Sequence, residues 1–264
     1  MRRRREIRLA GGQAARDTPG VEPARSYVIC CVQRTGSWLL AHTLADTGYA
    51  GRPSDYFDEQ ERKTRTREWG LPSGDLTPYI AAVREHATTP NGVLGSKLMW
   101  NDFYWHRQNS VRPSAGTDAG LEFMRTAFGD PRFVWLRRQD KVRQGISWWR
   151  AFVTDQWGLR PDQEAGEPPA DVEPILRLIR FAEQCEAGWR QWFASTGIQP
   201  CEVTYEDLAR DRLAVANRVL GYLNLPLLEP GDLPPVRYRQ QADRLTDHYV
   251  DLVRAVIGGR AGPG

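Results

Sequence analysis

Ser26-Tyr27-Val28-Ile29-Cys30-Cys31-Val32, then Gln33-Arg34-Thr35-Gly36-Ser37, then Trp38-Leu39-Leu40 is the stretch that decides the fold. A β-branched apolar run feeds a turn centred on one glycine, and an amphipathic helix starts directly after it. That order gathers backbone N–H groups and a helix N-terminus around one point, which makes an anion site. A nucleotide triphosphatase loop would read Gly-x-x-x-x-Gly-Lys-Ser/Thr, with the lysine on the outer phosphates and the hydroxyl on magnesium. No lysine stands here, and the cation, Arg34, precedes the glycine. The anion that suits such a loop is a phosphate or sulfate held by a planar guanidinium, with no provision for a metal. A tight turn with a surface arginine is the competing reading.

Four further stretches share this order with a known family: Gly51-Arg52-Pro53-Ser54-Asp55-Tyr56-Phe57, the run Asn91 to Trp100, the run Leu136 to Ala151, and Gln241-Ala242-Asp243. Together with Gln-Arg-Thr-Gly-Ser they resemble sulfotransferases that use 3′-phosphoadenosine 5′-phosphosulfate (PAPS), nearest to the bacterial trehalose 2-sulfotransferase type. The resemblance spans about residues 26 to 254. It implies a P-loop-like α/β fold, a small-molecule hydroxyl acceptor such as a carbohydrate, glycolipid or secondary metabolite, and no metal cofactor.

The resemblance also assigns roles. Gln33, Arg34, Thr35, Gly36, Ser37 and Trp38 form the 5′-phosphosulfate loop, with Arg34 also spreading charge during transfer. Preorganised donors of this kind contribute about 3 to 4 kcal/mol each. Relatives place a small hydroxyl residue where this chain has Trp38, so the indole is expected to line the pocket. Arg138 and Ser147 match the arginine and serine that bind the 3′-phosphate, and Arg143, on the Ser147 face of a regular helix, is a candidate to join them. Arg239 and Gln240, just before Gln241-Ala242-Asp243, stand where relatives carry one arginine. The general base is Asp55, at the position of a family glutamate, with Asp58, Glu59 and His106 as fallbacks. Acceptor-facing residues are Lys97, Trp100, Asn101 and Trp149, although core packing competes for the tryptophans. His42, His86, His106 and His248 have no evident catalytic context.

Composition narrows the rest. A hydrophobic share of 41% in 264 residues supports one packed domain, and the net charge of +3 argues neither for nucleic acid nor for a membrane surface. No stretch approaches a membrane span. Residues 1 to 25, opening Met1-Arg2-Arg3-Arg4-Arg5, read as a disordered leader without a signal-peptide core, which points to a cytoplasmic protein. Residues 26 to 258 form the domain, and 259 to 264 a flexible tail. Cys30, Cys31, Cys185 and Cys201 show neither disulfide nor metal spacing. A homodimer is left open.

Strands are expected at residues 26 to 32, 92 to 99, 132 to 136 and 199 to 205. Helices are expected at Trp38 to Thr47, from a Thr77 cap with Pro78 first, at Leu121 to Phe128, from an Asp140 cap to Trp157, along the stripe Ile175 to Phe193, and at Leu208 to Leu223. Residues 51 to 74 and 158 to 170 read as loops. Strands alternating with helices imply a parallel sheet. Two other classes compete with the enzyme reading: a P-loop kinase, against which the missing lysine argues, and a non-catalytic nucleotide- or sulfate-binding module.

Overall fold

Along the first strand, side chains alternate between two cores. Val28 and Cys30 enter an aromatic-rich cluster with Phe57, Phe123 and Trp189, while Tyr27, Ile29 and Cys31 face an aliphatic one with Leu40, Leu208 and Val219. A strand buried on both faces reads as a continuous apolar run because helices cover both sides. The computed structural model describes residues 23–111, 113, 115–158, 166, 168–169, 171–233, 235–236 and 244–260.

Its elements are β1 (Arg25–Cys31), α1 (Ser37–Ala45), α2 (Glu59–Glu68), α3 (Leu76–Ala87), β2 (Val93–Met99), α4 (Trp100–Asn109), α5 (Ala119–Phe128), β3 (Pro131–Arg137), α6 (Lys141–Thr154), α7 (Val172–Thr196), β4 (Cys201–Thr204), α8 (Tyr205–Arg210), α9 (Arg212–Tyr222) and α10 (Arg244–Arg260). The four strands form one parallel sheet in the order β2-β1-β3-β4. The chain leaves β1 towards β2 and then crosses to β3 on the other side. β1 is therefore the switch point, and ligands of open α/β sheets bind outside the carboxyl ends of the strands there.

Four local expectations are corrected. Residues 51 to 74, read as a loop, contain α2, which buries none of its residues. A pattern search for an apolar stripe cannot find such a helix. It is held by its Asp58 cap, which accepts the Glu61 N–H at 2.9 Å, and by the Glu59–Lys63 pair at 2.5 Å. α3 is capped by Asp75 and not Thr77, which puts Pro78 at the third helical position, where the amide would lack an intrahelical partner anyway. The helix expected from Leu208 to Leu223 is two helices, because Asp211 leaves helical geometry and caps α9 by accepting the Ala214 N–H at 2.9 Å. α4, absent from the sequence-based element order, starts directly after β2. The leader to residue 22, residues 159–165, 167 and 170 of the expected loop, and 261–264 of the tail lie outside the described residues. Arg25 already belongs to β1, and α10 reaches Arg260.

Candidate active site

The loop after β1 takes two left-handed residues, Arg34 at φ 64° and Gly36 at φ 78°. Thr35 turns its hydroxyl back onto the Val32 carbonyl at 2.8 Å. Gly36 is the cap of α1 and offers no side chain, so the first-turn N–H groups are left for another acceptor. A Cβ on Gly36 would also stand 2.6 Å from the Tyr205 ring. Tyr205, the first residue after β4, was not foreseen from sequence. Its place at a strand's carboxyl end was the available signal.

Arg34 bridges the two phosphate positions expected from the sequence. Its Nε donates to Ser147 Oγ at 2.9 Å, and Nη1 to the Trp157 carbonyl at 2.6 Å. Arg138 donates from Nη1 to the Arg34 carbonyl at 3.1 Å and lies 4.4 Å above the Tyr205 ring. Its Nε is buried without a hydrogen-bond partner among the described residues. Burial, and then the neighbouring Arg138, push the Arg34 guanidinium down to about 10, and burial also lowers Arg138. Two crowded guanidiniums beside a hydroxyl and an uncapped helix suit an anion of more than one charge. The β3–α6 turn is held by Glu206, which accepts the N–H groups of Gln139 and Asp140 at 3.0–3.1 Å. Arg143 does not join this group. It pairs instead with Asp247 of α10 at 2.6 Å.

The second half of the site is made by bringing residues 51–57 alongside β2. Gly51 has φ 75°, and a Cβ there would lie 2.5 Å from the Gly95 amide nitrogen, so the backbones can meet only at a glycine. The Lys97 N–H then donates to the Ser54 carbonyl at 3.0 Å. This register sets Asp55 Oδ2 2.5 Å from Lys97 Nζ. Lys97 is wholly buried, and its ammonium also sits 4.0 Å from the Trp38 ring centroid. Asp55 Oδ1 is buried and has no hydrogen-bond partner among the described residues. A buried acceptor without a donor costs free energy until a ligand hydroxyl fills it.

The other named residues separate cleanly. Gln33 donates to Asn101 Oδ1 at 2.8 Å, which joins the loop to α4. Trp38 is 39% exposed and covers Lys97. Ser37 is buried in the first turn of α1. Trp100 packs edge-on against Trp189. Trp149, expected near the acceptor, packs edge-on against Tyr249 in a separate cluster of α6, α7 and α10, because its helix face meets those helices and not the strand ends. Arg239 and Gln240, with Gln241-Ala242-Asp243, lie outside the described residues.

The fallback bases have other work. Asp58 caps α2, and Glu59 pairs with Lys63. His106 bonds the Phe57 carbonyl at 3.0 Å and Ser110 Oγ at 2.7 Å, and stacks on Phe123. Burial pushes its pKa down to about 4, so it is a neutral part of the core. His42 lies tilted against Trp38, and His86 stacks on Trp69. Among the described residues no group of three or more His, Cys, Asp or Glu side chains could hold a metal ion, and no helix is long and apolar enough to cross a membrane.

Residues 26–255 match the family model of the Stf0 sulphotransferases. The trehalose 2-sulfotransferase of Mycobacterium tuberculosis strain Erdman is 33% identical over 256 residues, covering 88% of this chain and 95% of that protein. The trehalose 2-sulfotransferase of Mycolicibacterium smegmatis is 31% identical over 260 residues, covering 87% and 94%. Among solved structures, a sulfotransferase domain from the curacin biosynthetic pathway aligns with 85% of this chain and 80% of its own, at 17% identity and a TM-score of 0.43, too remote to bear on function. The chain belongs to the Stf0 sulphotransferase family and is a sulfotransferase.

Proposed function

We propose that the protein transfers a sulfuryl group from PAPS to a hydroxyl of a small carbohydrate, with Asp55 as general base. The observation that carries this reading is that Ser147 and Arg138 meet at Arg34 while Lys97, under Trp38, pairs with an Asp55 whose other oxygen is buried with no hydrogen-bond partner among the described residues. The residues fit a bisphosphorylated donor: among the described residues Arg138 Nε lacks a partner and the α1 terminus lacks a side-chain cap, and the Arg138 guanidinium depresses that of Arg34. When bound, PAPS supplies the sulfuryl group and carries a second phosphate on its ribose.

The chain's own residues then divide the labour. Residues 33–37 and the first turn of α1 hold the 5′ end through N–H groups, and Arg138 with Ser147 holds the 3′-phosphate. Arg34 touches both regions and stabilises charge as it shifts during transfer. Lys97 occupies Asp55 Oδ2, which leaves Oδ1 to accept the acceptor's hydroxyl proton. Trp38 screens this pair and offers an aromatic surface to a sugar. The curated relatives act, by their names, on trehalose, which makes it the first acceptor to try.

Thermal unfolding with adenosine 3′,5′-bisphosphate and with AMP tests the donor. At a hundredfold excess over its dissociation constant the bisphosphate should add about 2.7 kcal/mol of stability. Equal shifts with both nucleotides would end the PAPS reading. Labelled PAPS with trehalose and a panel of sugars and natural-product alcohols tests the acceptor. Transfer only to non-carbohydrate alcohols would overturn the carbohydrate assignment.

A further inference from the structure

A hydrogen-bonded chain runs from α6 through the phosphate loop to α4. Gln144, wholly buried on α6, donates from Nε2 to the Gln33 carbonyl at 2.8 Å. Gln33 Nε2 donates to Asn101 Oδ1 at 2.8 Å, and Asn101 Nδ2 donates to Asp102 Oδ1 at 2.9 Å. Gln33 Oε1 is buried with no partner among the described residues, so the loop side chain is held through its amide nitrogen alone. The chain ends at the Asp102 carboxyl group, at the third position of α4.

We propose that Asp102 is a positioning residue for the transfer reaction, the terminus of the side-chain hydrogen bonds that hold the phosphate loop to α4, the helix that directly follows the Lys97 strand. Asp102 is not a catalytic residue; it acts through Asn101 and Gln33, and its charge bears on Asp55 only once it ionises. The groups whose charge it feels are Asp58 at the cap of α2, Asp55 on residues 51–57 and Lys97 on β2, and the buried Cys31 thiol of β1 feels its charge in turn. A first-turn acid would ordinarily be favoured as the carboxylate by its helix. Here burial first, then Asp58 and Asp55, push it up to about 8, and Lys97 only partly offsets them. At neutral pH Asp102 is therefore an uncharged acid. Above about pH 8 it places another negative charge next to the base and near the path of an anionic sulfuryl group, which opposes transfer.

This rests on the sulfuryl-transfer reading above, and wild-type turnover with PAPS and the best acceptor of the panel is the control for it. No turnover by the wild type sinks that reading. With turnover in hand, kcat/KM is followed from pH 6 to 10 in the wild type, Asp102→Asn and Asp102→Ala. The wild type should lose activity through one ionisation near pH 8, and Asp102→Asn should move that limb to higher pH. Asp102→Ala should lower kcat/KM about tenfold at pH 7 with bisphosphate affinity retained, and Asp102→Asn should recover most of that loss. Melting temperature adds a readout independent of turnover. Because the folded pKa is raised, the folded state binds the extra proton, and the wild type loses stability as pH rises from about 4 to 8. Asp102→Asn should lack that component. An alkaline limb unmoved in Asp102→Asn, or equal losses in both variants, overturns the proposal. If Asp102→Ala does not fold, the Asp102→Asn profile decides alone.

Discussion

At the carboxyl ends of β1 and β3 the site gathers cations, Arg34 and Arg138, around the Ser147 hydroxyl, whereas beside β2 a carboxylate and an ammonium, Asp55 and Lys97, balance each other. The first half is electrostatically incomplete: burial and mutual repulsion hold Arg34 low, and an anion relieves both. The second half is neutral as a pair and leaves only one oxygen, Asp55 Oδ1, to be filled. On the proposed reading a charged ligand belongs to the first and an uncharged hydroxyl to the second. The difference teaches that donor binding should register strongly in stability, whereas acceptor binding should register mainly in turnover.

The largest effect should come from breaking the neutral half. Asp55→Asn keeps size and can still accept from Lys97, yet it cannot take a proton, so turnover should fall by roughly 10² to 10⁴. Bisphosphate affinity should hold, because the cationic half is untouched. If turnover at saturating PAPS stays near normal, the base is another group and the comparison collapses.

Removing one cation should be milder. Loss of charge-assisted hydrogen bonds in Arg138→Ala should weaken bisphosphate binding about 10- to 100-fold. Adenosine 5′-phosphosulfate, which lacks the 3′-phosphate, should bind nearly as before. Parallel losses for both ligands in calorimetry would mean that Arg138 supports the Tyr205 contact and reads no phosphate.

The smallest effect on chemistry should come from His106, which underpins the acceptor half by bonding the Phe57 carbonyl. Its folded pKa, about 4, lies below the ordinary 6.5, so the unfolded chain takes up a proton that the folded one refuses. Stability is full above pH 6.5 and falls as pH drops towards 4. Melting curves for the wild type and His106→Phe across that window should converge at low pH, with the acidic limb of turnover unmoved. A turnover limb that shifts in the variant would return His106 to the chemistry.

Much of the donor half was legible because it is local in sequence. The strand, the loop 33–37 and the helix start are consecutive, and Arg138 follows β3 at a fixed position. The acceptor half was legible only as a list of residue types. Asp55 and Lys97 are 42 positions apart, and only the Gly51–Gly95 approach sets the register in which they pair. α2 escaped because it buries nothing, and Trp149 was misplaced because an apolar residue's type does not say which neighbour covers it.

By itself the sequence determined the parallel α/β order, the anion loop without a lysine and the family, since each rests on contiguous motifs whose local physics is nearly independent of context. Only the tertiary structure decided that Arg34 reaches Ser147, that Tyr205 closes on Gly36, that His106 is a core group and that Gln33 of the loop bonds Asn101 next to Asp102. Each of these depends on the packing of segments distant in the chain, where burial and neighbouring charge set what a side chain does.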